Sequence, residues 1–185
     1  GEDCEGLETS ASNGDGALYH WCLTVLDRAL AAKDDEQLVG LSYGIATWDD
    51  WAHRLANVFG VRTLLFDCFA TPSNSGKTPS LEGWKVPPER RDVCAGGKDS
   101  TDSSGRRFEG LSQHLAPRGP AGTLMKIDVE GGEWEALAAV SDEDLKKVDL
   151  LDLQLYLCQG NSAVSMAKRV KILERLAQLF HVVAR

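Results

Sequence analysis

Short apolar runs alternate along this chain with amphipathic segments of helical period, and that alternation restricts its fold more than any other feature. "LVGLSYG" (38–44), "VRTLLFDCF" (61–69), "TLMKIDV" (123–129) and "VDLLDLQLYL" (148–157) are apolar over consecutive positions. Such runs suit strands covered on both faces. Helical spacing joins Leu18, Trp21, Cys22, Val25, Leu26 and Ala29 in "ALYHWCLTVLDRALAA", and Trp48, Trp51, Leu55 and Val58 in "WDDWAHRLANVFG", which Gly60 closes. "RRDVCAGG" (90–97) is expected as a third, weaker strand, and "FEGLSQHLA" (108–116) as a short helix. "GEWEALAAV" (132–140) and "SAVSMAKRVKILERLAQL" (162–179) are expected as helices, and "FHVVAR" as the opening of a sixth strand. Strands separated by helices need crossover connections, which give parallel pairing. The expected architecture is α/β: a doubly wound, mostly parallel sheet in one domain over residues 17–185, behind a flexible segment 1–16 rich in Gly, Ser and acids.

A hydrophobic share of 43% in 185 residues allows a real core. No run of 18 apolar residues exists to span a bilayer. The formal charge of −8 argues against a nucleic-acid backbone as partner, since that contact needs a basic face. The first residues are acidic and small, so no secretory leader is expected. The five cysteines, Cys4, Cys22, Cys68, Cys94 and Cys158, show neither CxxC pairing nor a close histidine, and no metal site is expected. Buried reduced thiols, with a cytoplasmic setting favoured over a secreted one, are the default; a Cys4–Cys22 disulfide is the alternative.

In open α/β sheets the ligand crevice lies beyond the carboxyl ends of the strands, where the strand order reverses. That rule selects Ser42, Tyr43, Gly44, Ile45 and Ala46 after the first strand and Asp67, beside Cys68, after the second. It selects Cys94, Ala95, Gly96 and Gly97 after the third, and Asp128, Glu130 and Gly131-Gly132 after the fourth. "GLSYGIA" is like a nucleotide-binding turn but lacks the full G-x-G-x-x-G; its other explanation is a tight strand-to-helix turn. Asp67 lies about twenty residues further on, where a carboxylate can accept both hydroxyls of a ribose. "SNSGKT" lacks the first glycine of a Walker loop and does not lead from a strand into a helix, which excludes that reading. A nicotinamide dehydrogenase is disfavoured by the incomplete glycine fingerprint and by the acids after the fourth strand.

Lys126, Ile127, Asp128, Val129, Glu130, Gly131, Gly132 and Glu133 match the "KIDVEGxE" signature of FkbM-type S-adenosylmethionine-dependent methyltransferases and their methyltransferase-like relatives. "SYGIATWDDWAHRLANVFGVRTLLFDCF", "VCAGGKD" and "GLSQHLA" resemble other segments of that family, in its order, over residues 38–158. The resemblance implies a class I, Rossmann-like methyltransferase sheet, here expected to lack its last strand. It implies S-adenosylmethionine as cofactor: Ser42–Ala46 near its methionine part, Asp67 with Cys68 at the ribose, Cys94–Gly96 bordering the adenine, and Asp128 at the methyl-transfer site with Glu130. It further implies O-methylation of a sugar or other small-molecule hydroxyl. The alternative is an inactive methyltransferase-like domain that binds a ligand or partner. Ala46 replaces the second glycine of the family's turn, Ser42 stands near its usual acid, and Cys68 replaces a common proline.

Methyl transfer needs the acceptor oxygen held in line, within roughly 3–3.5 Å, and relieved of its proton. Asp128 is the candidate base or orienting group. Glu133 and Glu135 are expected to serve the start of the following helix, where the dipole favours acids. The loop 70–88 is expected to flank or cover the site.

Overall fold

In a computed structural model of the chain, the apolar runs at 39–43, 62–66 and 123–127 lie side by side in one parallel sheet. The structure describes residues 4–11, 18–31, 38–45, 48–69, 82–157 and 164–182. Ala46, the core of the loop at 70–81, Cys158 and the last residues of "FHVVAR" lie outside them.

The sheet comprises β3 (Val39–Tyr43), β4 (Arg62–Phe66), β5 (Glu89–Arg91), β9 (Thr123–Ile127) and β10 (Val148–Leu153), in the spatial order β10-β9-β3-β4-β5. Every pairing in it is parallel. Numbered by appearance within the sheet, the order is 5-4-1-2-3, the doubly wound arrangement with its switch point between β3 and β9. Both faces are covered. One packs Leu41, Tyr43, Phe66, Met125 and Ile127 against α3 (Leu111–Leu115), α4 (Glu133–Ala139), α5 (Asp142–Leu145) and α6 (Met166–Leu179). The other packs Leu65, Leu124 and Leu150 against α1 (Leu23–Ala31), α2 (Asp50–Val58) and the strand β2 (Leu18–Cys22). No helix among the described residues is long and apolar enough to cross a membrane.

Four expectations of secondary structure change, one of them the helix expected over 108–116, which begins only at Leu111 because residues 108–110 lie in a strand. The helix expected over 17–32 begins only at Leu23; residues 18–22 pair antiparallel with β1 (Leu7–Ala11), so part of the expected lead-in is a hairpin strand. The reason is local: Tyr19 and Trp21 alternate as a strand face and are buried, while a Cys4–Cys22 disulfide closes the hairpin. The third strand divides in two. Glu89–Arg91 stays on the main sheet, whereas β6 (Cys94–Gly96) joins a second sheet with β7 (Ser100–Thr101) and β8 (Arg107–Gly110), in the order β6-β8-β7. After α6, Phe180 is extended, and residues 180–182 form no strand.

The cysteine default is corrected as well. Cys4–Cys22 and Cys68–Cys94 are disulfides, because chain folding brings each pair to a bonding distance, with Cα–Cα separations of 5.6 and 5.1 Å.

Candidate functional site

The strand ends at the switch point meet closely. Tyr43 and Ile127 are register partners, and the next residues continue the ladder: the Asp128 amide donates to the Tyr43 carbonyl (3.1 Å) and the Gly44 amide to that of Phe66 (3.0 Å). Gly44 has φ +79°, and a Cβ built on it would fall 2.7 Å from the Asp128 carbonyl carbon and on top of its oxygen. Glycine is required here by the close approach of two backbone segments just beyond the strand ends.

Asp67 lies at the end of β4, buried, and it faces this turn. Its Oδ2 accepts the Ile45 amide (3.2 Å) and its Oδ1 the Phe69 amide (2.7 Å). The neighbouring Cys68 bonds to Cys94, which ties β4 to β6 and brings Ala95 and Gly96 alongside the strand end. Gly44, Ile45, Asp67 and Asp128 thus form one continuous cluster. Ser42 sits beneath it, fully buried, with its hydroxyl donating to Asp49. Tyr43 contributes its backbone to the cluster while its ring turns to the opposite face.

The acids of the "KIDVEGGEWE" stretch separate in space. Asp128 is half-buried and accepts the Tyr156 hydroxyl (3.2 Å), which in turn accepts the Gln154 amide (2.7 Å). Glu130 is exposed and occupies the left-handed region at φ +50°, ahead of Gly131 at +107°. Glu133 is fully buried, accepting the Gly131 amide through Oε2 (2.7 Å) and the Tyr156 amide through Oε1 (2.9 Å). It clamps the β9–α4 turn to the segment after β10, a tighter role than a charge at a helix start. Glu135 is exposed in the first turn of α4, as expected.

Several polar groups that sequence reasoning missed surround this cluster. Lys126 is buried, donates to the Gly44 carbonyl (3.0 Å), lies 4.0 Å from Asp49 and sits 5.6 Å from the centre of the Tyr19 ring. Asp49 caps α2 by accepting the Ala52 amide (3.0 Å), so Lys126 holds both ends of the β3–α2 turn. Beside Lys126 across the β9–β10 ladder stands Asp152. Burial pushes its carboxyl up to about 6, with Asp128 adding to the rise and the His20 amide, the His20 side chain and Lys126 opposing it. On the other face, Tyr43 bonds to His114 Nδ1 (2.8 Å), and His114 Nε2 to Glu109 (2.9 Å). With Glu109 ionised, Nε2 carries the proton and Nδ1 accepts from the phenol. Burial raises the Tyr43 phenol far above its usual range and lowers the His114 imidazole. Lys126 and Asp152 are hidden because each stands inside an apolar run, where it is counted as an interruption.

A shallow depression of about 360 Å³ lies between Gly96, Gly97, Lys98 and Ser100 on one side and Glu135, Ala138 and Val164 on the other. Of the expected site residues, Gly96 and Gly97 line it. Among the described residues, no three His, Cys, Asp or Glu side chains are grouped to hold a metal ion. Comparison with protein-family models, with curated proteins and with solved structures finds no match to this chain.

Proposed function

We propose that the chain is an S-adenosylmethionine-dependent methyltransferase acting on a hydroxyl of a small molecule or sugar. The observation that carries this reading is the convergence of the Gly44 turn, Asp67 and Asp128 at the switch point of a 5-4-1-2-3 parallel sheet. The donor set suits the cofactor: a carboxylate that now accepts the Ile45 amide can exchange it for a ribose hydroxyl. Ser42–Ala46 would border the methionine part, Asp67 with Cys68 the ribose, and Cys94–Gly96 the adenine. When bound, the cofactor supplies an electrophilic methyl group. Asp128 orients the acceptor, aided by Tyr156, and Lys126 fixes the turn from below.

Calorimetric titration with S-adenosylmethionine and S-adenosylhomocysteine tests the reading. Binding is expected, and Asp67→Ala is expected to weaken it at least tenfold, about 1.4 kcal/mol. Absence of binding at millimolar cofactor overturns the proposal; unchanged binding in the variant overturns the site. A second reading, a ligand- or partner-binding domain without catalysis, draws on one specific observation: Asp67 and the Ile45 amide satisfy each other within the chain. Cofactor binding without methyl transfer to any hydroxyl acceptor would favour it.

A further inference from the structure

We propose that Asp152, rather than Glu130, is the second working carboxylate of the site, taking the proton of the acceptor hydroxyl while Asp128 orients it. The inference rests on the methyltransferase reading and names its proton acceptor.

The sheet register places Asp152 there. Ser42, Lys126 and Asp152 are lateral neighbours on β3, β9 and β10, so their side chains share one face near the carboxyl ends of the strands. Asp128 follows Lys126 by two residues and therefore projects on that same side. Strand geometry puts the Asp152 and Asp128 Cα atoms about 8 Å apart, close enough for two side chains to reach one small molecule between them. Glu130 lies past a reversal of the chain, exposed, at φ +50°.

The surroundings of Asp152 suit a proton acceptor. Its carboxylate accepts the His20 amide at a long 3.4 Å. The charged or titratable groups acting on it are His20 from β2, Lys126 from β9 and Asp128 just beyond the end of β9. Lys126 is engaged with the Gly44 carbonyl and lies 4.0 Å from Asp49, so its charge is shared. A carboxyl titrating near 6 is ionised at neutral pH yet basic enough to accept a proton, the compromise that general-base catalysis favours.

The step balances. The acceptor O–H bond breaks as its proton passes to a carboxylate oxygen of Asp152. The oxygen's electron pair forms the new bond to the methyl carbon. The methyl–sulfur bond breaks with its pair left on sulfur, so the sulfonium donor leaves as a neutral thioether. The protonated Asp152 then releases its proton to water.

The test uses the charge difference between the two cofactor forms. Native protein carrying carbon-13 at its aspartate carboxyls, with Asp152 assigned through its backbone, is titrated alone, with S-adenosylhomocysteine and with S-adenosylmethionine. The midpoint for Asp152 is expected near 6 both alone and with the neutral thioether. With the sulfonium it is expected to fall by about one pH unit or more, the effect of a positive charge brought within several ångströms. An Asp152 midpoint that is the same in both complexes overturns the inference and leaves the methyltransferase reading standing. Failure of both cofactors to bind, seen by calorimetry, overturns that reading and this inference with it. The measurement needs no substitution, so a variant's failure to fold does not affect it.

Discussion

Glu133 and Glu135 offer a direct test of what the acidic stretch does, because one residue type occupies two positions of a single helical turn. If both served only the helix dipole, replacing either by alanine would cost a few tenths of a kcal/mol. The structure gives them unequal work. Glu133→Ala strands two backbone amides, of Gly131 and Tyr156, that now donate to the carboxylate at 2.7 and 2.9 Å. Hydrogen bonds to a charged acceptor contribute about 1.5–3 kcal/mol each. Relief of the buried charge, together with water entering the space, offsets part of that. The net loss should be about 3 kcal/mol, against no more than about 0.5 for Glu135→Ala at its exposed position. Glu133→Gln keeps the volume but has one accepting oxygen, so its NH2 faces an amide and about 2 kcal/mol should be lost. In urea unfolding with m of about 2.5 kcal/mol/M, Glu133→Ala should lower the midpoint by about 1.2 M at unchanged m. Equal midpoints for the two alanine variants would refute the clamp and return Glu133 to the role of a helix-start charge.

Four further outcomes are expected. Gly44→Ala combines a left-handed φ with a Cβ driven into the Asp128 carbonyl, and should cost upward of about 3 kcal/mol in a thermal or urea melt. His114 binds its proton more weakly folded than unfolded, so the unfolded chain takes up more protons as pH drops. Its stabilising share should be complete above about pH 6.5 and lost as pH falls through the folded value, a slope that His114→Gln should remove from the stability–pH curve. Asp152 has the opposite sign: with a folded value of about 6 against 3.8, its share is present below 3.8 and lost as pH rises through 6. Asp152→Asn should therefore gain about 3 kcal/mol on wild type between acidic and neutral pH, read from paired urea midpoints. Reducing the disulfides, which join residues 18 and 26 positions apart, should cost about 3 kcal/mol each and lower the melting temperature.

The parallel sheet was legible because most of its strands are uninterrupted apolar runs and its helices keep a clear period, so β3, β4, β9 and β10 fall where the pattern puts them. The places where pattern reading failed have physical causes. In "LYHWCL" a strand period and a helix period share residues, and a disulfide together with the burial of Tyr19 and Trp21 decides for the strand. In "ERRDVCAGG" the edge strand is charged, a usual protection of a sheet edge, while the apolar part leaves for a second sheet. The site residues were legible in position but not in partner. Gly44, Asp67 and Asp128 converge as the strand-end rule requires, yet nothing in the sequence shows that Asp67 accepts Ile45 or that Glu133 reaches Tyr156 across 23 positions.

Those partners also separate the carboxylates that hold the fold from those suited to chemistry. Asp49 accepts an amide and a hydroxyl, and Glu133 accepts two amides; both are buried, and protonating either would give up bonds that fix a turn. Asp152 accepts one amide at 3.4 Å, is only partly buried, and is already held near the point of protonation. A general base works best with a pKa near the operating pH and within hydrogen-bond reach of the proton it takes. On the proposed methyltransferase reading, and by that measure, the functional weight of the "KIDVEGGEWE" stretch shifts away from its later acids. It moves toward Asp128 and, across the ladder on β10, to an aspartate that the motif does not contain.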